Sequence, residues 1–217
     1  MPSVTSPPGL SPPPAPAHGD RRLPWRSARF AALDFETTGL DYARDAVVSF
    51  GVVPVERGRV HMAGAMRQLT RPDVPPSPRS QTIHELRPKD LDDAPPLEEA
   101  GARLADALAH RFLLVWFADV EVHFLGRIFD GGTRRWRRRV IDVRTLAIAA
   151  DDAGASARRA PGYALSATAQ RYGVPVDDPH DALDDALVTA QLFLVLAPRV
   201  AGESATVRRL LRAGRPG

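Results

Sequence analysis

Residues 30–40 read FAALDFETTGL, in which an apolar run meets two acidic residues and then breaks at Thr-Thr-Gly. This pattern predicts a strand followed by a turn. Because successive side chains of a strand point to opposite faces, Asp34 and Glu36 share one face. Neighbouring carboxylates repel each other and lose solvation when they are buried, and a bound divalent cation relieves both costs. Taken alone, the stretch fits either a metal site or a strand end with solvated acids.

Composition restricts the class of protein. The chain has 217 residues, of which 44% are apolar, and this is enough for one sizeable domain. It contains no cysteine, which excludes disulfides, thiolate zinc sites and thiol nucleophiles. The apolar run at 112–118 is far shorter than a bilayer span, and the N-terminus lacks the pattern of a secretory signal. We therefore expect a cytoplasmic protein that makes no membrane contact.

The positive charge of the chain is carried almost entirely by arginine. Lysine and arginine total 29 against 26 acidic residues, and Lys89 is the only lysine. Arginine suits bidentate phosphate contacts, so the net charge of +3 permits nucleic-acid binding without requiring it. The run RRWRRR at 134–139 precedes a predicted strand, and we interpret it as a solvated loop. Binding of a nucleic-acid backbone away from Asp34 and Glu36 is the alternative interpretation.

The sequence predicts one α/β domain between two tails. Residues 1–27 are rich in proline and serine and predict a disordered basic tail, and residues 200–217 predict a flexible arginine-rich one. Residues 28–199 fit three antiparallel strands followed by strands that alternate with helices, which predicts a central five-stranded mixed sheet flanked by helices. After the opening strand, the predicted strands are 46–55, 59–69, 112–117 and 140–142, and the main predicted helices are 97–110, 118–129, 143–150, 163–172 and 181–196.

Two further acids fall on the apolar faces of predicted helices. Asp185 recurs with apolar residues at helical spacing on helix 181–196, and Glu121 does so on helix 118–129. Asp119 falls on the outer side and fits the start of its helix. A carboxylate on a buried face needs a cation or a paired arginine, and the sequence leaves both open.

These residues resemble the motifs of the DnaQ-like (DEDDh) 3′–5′ exonucleases, of the type found in the epsilon subunit of DNA polymerase III. Residues 34–39, DFETTG, are similar to the first motif, and residues 180–186, HDALDDA, are similar to the third, a histidine followed five residues later by an aspartate. The resemblance covers residues 29–197 and implies a ribonuclease H-like fold. The second motif differs, because Trp116-Phe117 and Glu121 stand where the family usually has His-Asn and an aspartate.

The resemblance implies a site for two Mg²⁺ or Mn²⁺ ions, which the hard oxygens of carboxylates suit. The ions would stabilise the attacking and leaving oxygens of a phosphoryl displacement. The residues implied are Asp34, Glu36, Asp185 and Glu121 as metal ligands, His180 as general base on the attacking water, and Thr37, Thr38, Gly39 and Leu40 as contacts to the terminal nucleotide.

The leading hypothesis is a metal-dependent 3′–5′ exonuclease that acts on single-stranded DNA or RNA and releases nucleoside 5′-monophosphates. Two alternatives stay open: a nuclease-like binding module that has lost turnover, and an enzyme of the oligoribonuclease type. The expected partner is the 3′ end of a nucleic acid. The sequence leaves open a DNA polymerase or repair partner and a homodimer.

Overall fold

The computed structural model describes residues 9–152 and 161–216, and these form a mixed sheet flanked by helices. The strands are β1 (Arg29–Thr37), β2 (Val47–Glu56), β3 (Arg59–Val60), β4 (Met66–Leu69), β5 (Phe112–Val115) and β6 (Val140–Asp142). The helices are α1 (Pro78–His84), α2 (Pro88–Leu91), α3 (Leu97–Leu108), α4 (Ala118–Ile128), α5 (Gly132–Arg137), α6 (Val143–Ala150), α7 (Leu165–Tyr172), α8 (Ala182–Ala201) and α9 (Val207–Ala213). None of the helices described is long and apolar enough to span a membrane.

The strand order is β3–β2–β1–β5–β6, and β4 also pairs with β2. β1 runs antiparallel to β2 and parallel to β5, which in turn runs parallel to β6, so the predicted mixed sheet is confirmed. The single strand predicted at 59–69 is divided into β3 and β4 by a short 3₁₀ helix, Met62–Gly64. The sheet therefore has six strands instead of the five predicted. Pro54 of β2 explains the break: its carbonyl accepts from the His61 amide, but it has no N–H to donate.

Alternate side chains of β1 enter two separate cores. Phe30 and Ala32 belong to the core under α8, whereas Leu33 belongs to the core under α3 and α4. Asp34 and Glu36 continue the first series, as the strand period requires. The carboxyl ends of the parallel strands β1, β5 and β6 lie at the same edge of the sheet, and this edge carries the acidic residues of β1.

The N-terminal segment packs against the domain, which corrects the prediction of a disordered tail for residues 9–27. Leu10 exchanges backbone hydrogen bonds with Ile128 and Asp130, each 2.9 Å long. Trp25 is fully buried, and its ring meets the edge of Phe193 at 5.5 Å between centroids. These isolated apolar residues anchor a segment whose average composition indicates disorder. Residues 1–8, and 153–160 of a loop predicted at 151–161, lie outside the described residues.

Residues 134–137 of the arginine-rich run are helical, so its interpretation as a solvated loop is wrong. They belong to α5, whose Trp136 is fully buried, and Arg138 and Arg139 follow the end of the helix. Arg135 donates to the carbonyl of Pro13 at 3.0 Å, and Arg139 donates to that of Pro14 at 3.3 Å. Polyproline segments lack internal hydrogen bonds, which leaves their carbonyls free to accept from these guanidinium groups.

The C-terminal segment is also packed, which corrects the flexible tail predicted for residues 200–217 as far as residue 216. α8 continues to Ala201, beyond its predicted end, because its apolar face stays buried. In α9, Val207 and Leu210 are fully buried. The amide of Asp142 donates to the carbonyl of Gly214 at 2.9 Å, which fastens the end of this segment to the end of β6.

Gly51 of β2 allows α8 to approach the sheet closely. It pairs with Asp34 across the sheet, and a Cβ atom at this position would overlap the backbone of Ala182 and Leu183 at the start of α8. Backbone has no flexible end that can move aside. A residue without a side chain is therefore needed here for the first turn of α8 to reach β1.

We predict that Gly51→Ala lowers the free energy of unfolding by about 1–3 kcal/mol, the usual cost of overpacking a core. Urea denaturation followed by circular dichroism measures this change. Gly19→Ala is the matched control, because an added Cβ there has no neighbour within 4 Å. Equal stability of Gly51→Ala and the wild type would contradict the close contact between α8 and β2.

Candidate active site

Asp34 and Glu36 lie at the end of the central strand β1. Glu36 is 9% exposed and Asp34 is half-buried, so neither is the solvated strand end that the sequence left open. The register of β1 against β2 shifts between Glu36 and Thr37, so the strand ends in an irregularity directly after the second acid.

The first turn of α8 brings Asp185 to the acids of β1. Asp181 caps the helix, since its carboxylate accepts from the amides of Leu183 at 2.9 Å and Asp184 at 3.3 Å. Asp185, one residue further, is 8% exposed, which confirms its predicted inward position. His180 precedes the cap in the left-handed region, at φ 68°. One ligand atom each of Glu36, His180 and Asp185 lie within 4.8 Å of one another, and these three form a candidate metal-binding group.

The first turn of α4 supplies the fourth acid from the opposite layer. Glu121 is 4% exposed, and its Oε2 atom is buried without a hydrogen-bond partner among the described residues. Asp119 lies on the outer side of the helix and pairs with Arg137 at 2.8 Å. The predicted helical face of α4 is therefore confirmed.

Asp142 positions α4 and was not assigned a role from the sequence. Its Oδ1 accepts from the amide of Thr145 at 2.7 Å, which caps α6, and its Oδ2 accepts from the amide of Ala118 at 3.2 Å. One carboxylate thus holds the first turns of two helices at the end of β6. An aspartate after a short apolar strand and three residues before Thr145 is a recognisable helix-cap pattern.

The turn after β1 is held by buried hydrogen bonds. The hydroxyl of Thr38 donates to the carboxylate of Asp45 at 2.7 Å, and the backbone carbonyl of Thr38 accepts from the hydroxyl of Ser80 at 2.8 Å. A Cβ atom on Gly39 would collide with the carboxylate of Asp45. The side chain of Thr38 is fully buried, whereas Leu40 is 71% exposed at the rim of the turn.

One cleft of about 610 Å³ contains the site. All the residues that the sequence proposed for the site line this cleft: Asp34, Glu36, Thr37, Thr38, Gly39, Leu40, Glu121, His180 and Asp185. His84 also lines it and was not proposed. Its Nδ1 accepts from the amide of Leu86 at 3.1 Å, while its Nε2 is buried without a partner in the part of the chain described. It is the last residue of α1 and lies in sequence between residues 34–39 and residues 116–121.

The electrostatics of the cleft are those of crowded acids. Burial raises the pKa of Asp34 well above its usual value, and the charge of Asp185 raises it further. Burial and the charge of Asp34 raise the pKa of Glu36 to about 9. Burial raises the pKa of Asp185 to about 6, although the charge of His180 acts in the opposite direction. Burial and the charge of Asp34 also raise the pKa of Glu121 well above its usual value.

Arginine does not compensate these charges. The ion pairs found among the described residues involve none of the four acids of the cleft. Pairing with a buried arginine, the alternative that the sequence left open, therefore does not apply to these acids. A divalent cation fits the donor set, because hard carboxylate oxygens are its preferred ligands and Glu121 has an oxygen without a partner.

A mixed sheet whose central strand carries paired acids, met by acids from helices on both faces, defines the ribonuclease H-like class of fold. The structure of E. coli Exonuclease I in complex with a dT13 oligonucleotide has this fold, with a TM-score of 0.64. It is 18% identical to this chain, and the match covers 80% of this chain and 42% of that one.

A family model described as exonuclease, RNase_T, matches residues 31–193, and the chain belongs to this family. The chain is 31% identical over 172 residues to the PolC-type DNA polymerase III of Thermotoga petrophila, which is 78% of this chain and 12% of that protein. It is 25% identical over 166 residues to the 3′-5′ exonuclease DinG of Staphylococcus haemolyticus, which is 76% of this chain and 18% of that protein. The chain thus spans less than a fifth of the length of these two relatives.

The crowded acids predict that a divalent cation stabilises the folded protein. A carboxyl group whose pKa is raised by folding contributes less stability as pH rises through the folded value, here about 6 for Asp185 and about 9 for Glu36. The metal-free protein should therefore melt lower at pH 8 than at pH 6. Mn²⁺ at about 100 times its Kd should add about 2.7 kcal/mol, or roughly 5–10 °C in Tm. Scanning calorimetry measures both changes.

Asp34→Asn separates the destabilisation by crowded charge from the stabilisation by a bound cation. It removes one buried charge, so the metal-free variant should melt higher than the wild type at pH 8, and the stabilisation by Mn²⁺ should be lost. Asp119→Asn is the matched control and should keep the full metal shift, because Asp119 lies outside the cleft. A wild-type metal shift in Asp34→Asn would place the metal elsewhere.

Proposed function

We propose that the protein is a metal-dependent exonuclease that hydrolyses the phosphodiester bond at the 3′ end of single-stranded DNA or RNA and releases nucleoside 5′-monophosphates. The observation that carries the proposal is the convergence of four carboxylates and His180 on one cleft, in a chain of the exonuclease family. These acids come from a strand and from two helices in different layers. Bringing them together is costly without a cation, so their convergence indicates a metal site.

The carboxylates would hold two Mg²⁺ or Mn²⁺ ions. Asp34, Glu36 and Asp185 would be direct ligands, and Glu121 would close the site from α4. Bound there, the ions would stabilise negative charge on the attacking and leaving oxygens of an in-line displacement. The longer side chain of Glu121 reaches the cleft from the first turn of its helix, where its Oε2 atom has no partner among the described residues.

His180 would take the proton from the attacking water. Its side chain is exposed and borders the cleft beside Asp185, so a ring nitrogen can reach a water molecule bound among the acids. The acids stand on a strand and on helices, whereas His180 stands on a turn. Regular elements suit the acids, because metal ligands must keep their positions. A turn suits His180, because a general base can adjust its position when it takes the proton from the water.

The rim of the cleft suits an unpaired nucleotide. Leu40 and Ile83 are exposed apolar side chains at its border, and apolar surface of this kind can pack against a nucleobase. The relative named 3′-5′ exonuclease DinG supports the direction of attack, and the complex of Exonuclease I with dT13 supports a single strand. The PolC-type relative supports a DNA polymerase as a partner.

The direct test is an assay of 5′-labelled single-stranded DNA, single-stranded RNA, duplex DNA and a dinucleotide with Mg²⁺ and with Mn²⁺. We expect progressive shortening from the 3′ end of the single strands and release of mononucleotides. Asp34→Ala should reduce the rate by about 10³-fold or more, because it removes a central metal ligand.

The same assay separates the alternatives. Strand binding that is equal in the wild type and Asp34→Ala, with no product at any metal concentration, would leave only the binding module. Hydrolysis confined to the dinucleotide would identify the oligoribonuclease type.

A second prediction concerns the substituted second motif. Glu121→Gln keeps the shape of the side chain but removes its charge, so it should lower kcat by about 10²-fold or more. Asp119→Asn should have little effect, because Asp119 lies outside the cleft and pairs with Arg137. Steady-state kinetics on a single strand measure both values. A large loss in Asp119→Asn with a small loss in Glu121→Gln would contradict the assignment of Glu121.

A further inference from the structure

Phe117 is an aromatic side chain left exposed in the wall of the catalytic cleft. It is 40% exposed, precedes α4 directly and lies four residues before Glu121. Seven large apolar side chains are exposed among the described residues, and Leu40, Ile83 and Phe117 of this group line the cleft. Exposed apolar side chains gathered at one site indicate a binding surface.

The backbone separates the two aromatic residues of the second motif. Trp116 is buried in the core under α8, whereas Phe117 borders both the cleft and a neighbouring groove that Tyr42 and Arg137 help to line. Burial in the core explains Trp116. It does not explain an exposed phenylalanine at the next position.

Arg144 of α6 lies beside this ring. Its guanidinium carbon is 5.6 Å from the centroid of Phe117, within the range of a cation–π contact. The Nε atom of Arg144 is buried without a hydrogen-bond partner in the described part of the chain. An aromatic face in the wall of the cleft and a guanidinium group beside it therefore stand together.

We infer that Phe117 and Arg144 form a subsite for the nucleotide upstream of the scissile bond, where Phe117 stacks on the base and Arg144 binds a backbone phosphate. The inference rests on the proposed function and on the family resemblance, which implies that residues 37–40 after β1 contact the terminal nucleotide. Phe117 follows β5, the strand next to β1 in the sheet, and lines the same cleft from a different element. Stacking on an aromatic ring tolerates any base, and a guanidinium group suits phosphate.

The test compares normal single-stranded DNA with the same strand carrying an abasic residue at the penultimate position. Phe117→Ala should lower kcat/KM about tenfold on the normal strand and leave it equal to the wild type on the abasic strand, where no base can stack. Phe117→Tyr should restore stacking and the wild-type ratio between the two substrates. Arg144→Gln should lower kcat/KM on both strands and reduce its dependence on salt, because a phosphate contact is lost. Met62→Ala, at an exposed apolar residue that does not line the cleft, is the control and should match the wild type on both.

Two outcomes would count against the subsite in different ways. If the wild type degrades the strand and Phe117→Ala lowers kcat/KM equally on the normal and abasic substrates, the assignment of the subsite is wrong. The exonuclease activity would still stand. If the wild type degrades neither, the proposed function fails, and fluorescence anisotropy with the same two strands and Mg²⁺ decides the subsite. Equal affinity of the wild type and Phe117→Ala for the normal strand would then overturn it.

Discussion

Four carboxylates are held together at one edge of the sheet against their own repulsion and loss of solvation. An uncompensated buried ion costs several kcal/mol, so Asp34, Glu36, Glu121 and Asp185 would push α4 and α8 away from β1 if nothing opposed them. The apolar layers supply the opposition. A fully buried leucine or phenylalanine contributes about 1.5–3 kcal/mol, and α8 alone buries Leu192, Phe193 and Leu196 completely. The buried side chains of the two cores together oppose this separation of the helices.

Local contacts then convert this general packing into defined positions. The absence of a side chain at Gly51 sets the distance between α8 and the sheet. Asp181 caps α8 and pairs with Arg67 at 2.6 Å, which fixes the turn that carries Asp185. Asp142 performs the same task for α4 from the end of β6. The acids therefore stand where a cation would need them, and little ordering has to accompany its binding.

The periodicity of strands and helices was sufficient to predict which acids face inward, because alternation along β1 and helical spacing on α4 and α8 are local properties. The parts that sequence reasoning missed depend on partners that are distant along the chain. The break between β3 and β4 arises from a proline on the neighbouring strand. The N-terminal segment is ordered by Trp25 in the core and by guanidinium donors more than a hundred residues away at Arg135 and Arg139. Composition averages over such contacts, so it predicted tails where the structure has packed chain.

The substituted second motif gives the cleft two unlike walls. Where the resemblance leads one to expect a polar pair, Trp116 enters the core and Phe117 faces the cleft, so neither side chain can offer an oxygen or nitrogen to a metal or to the substrate's phosphates. On this side, the described residues that keep such a capacity are Glu121 and Arg144, whose guanidinium group lies beside Phe117. The acids and His180 are thus gathered in the cleft, whereas the wall at Phe117 offers an aromatic face with one cation beside it. Stacking depends on an unpaired base, whereas a paired base is already stacked within its duplex. In the exonuclease proposed above, walls of this chemistry would favour single strands.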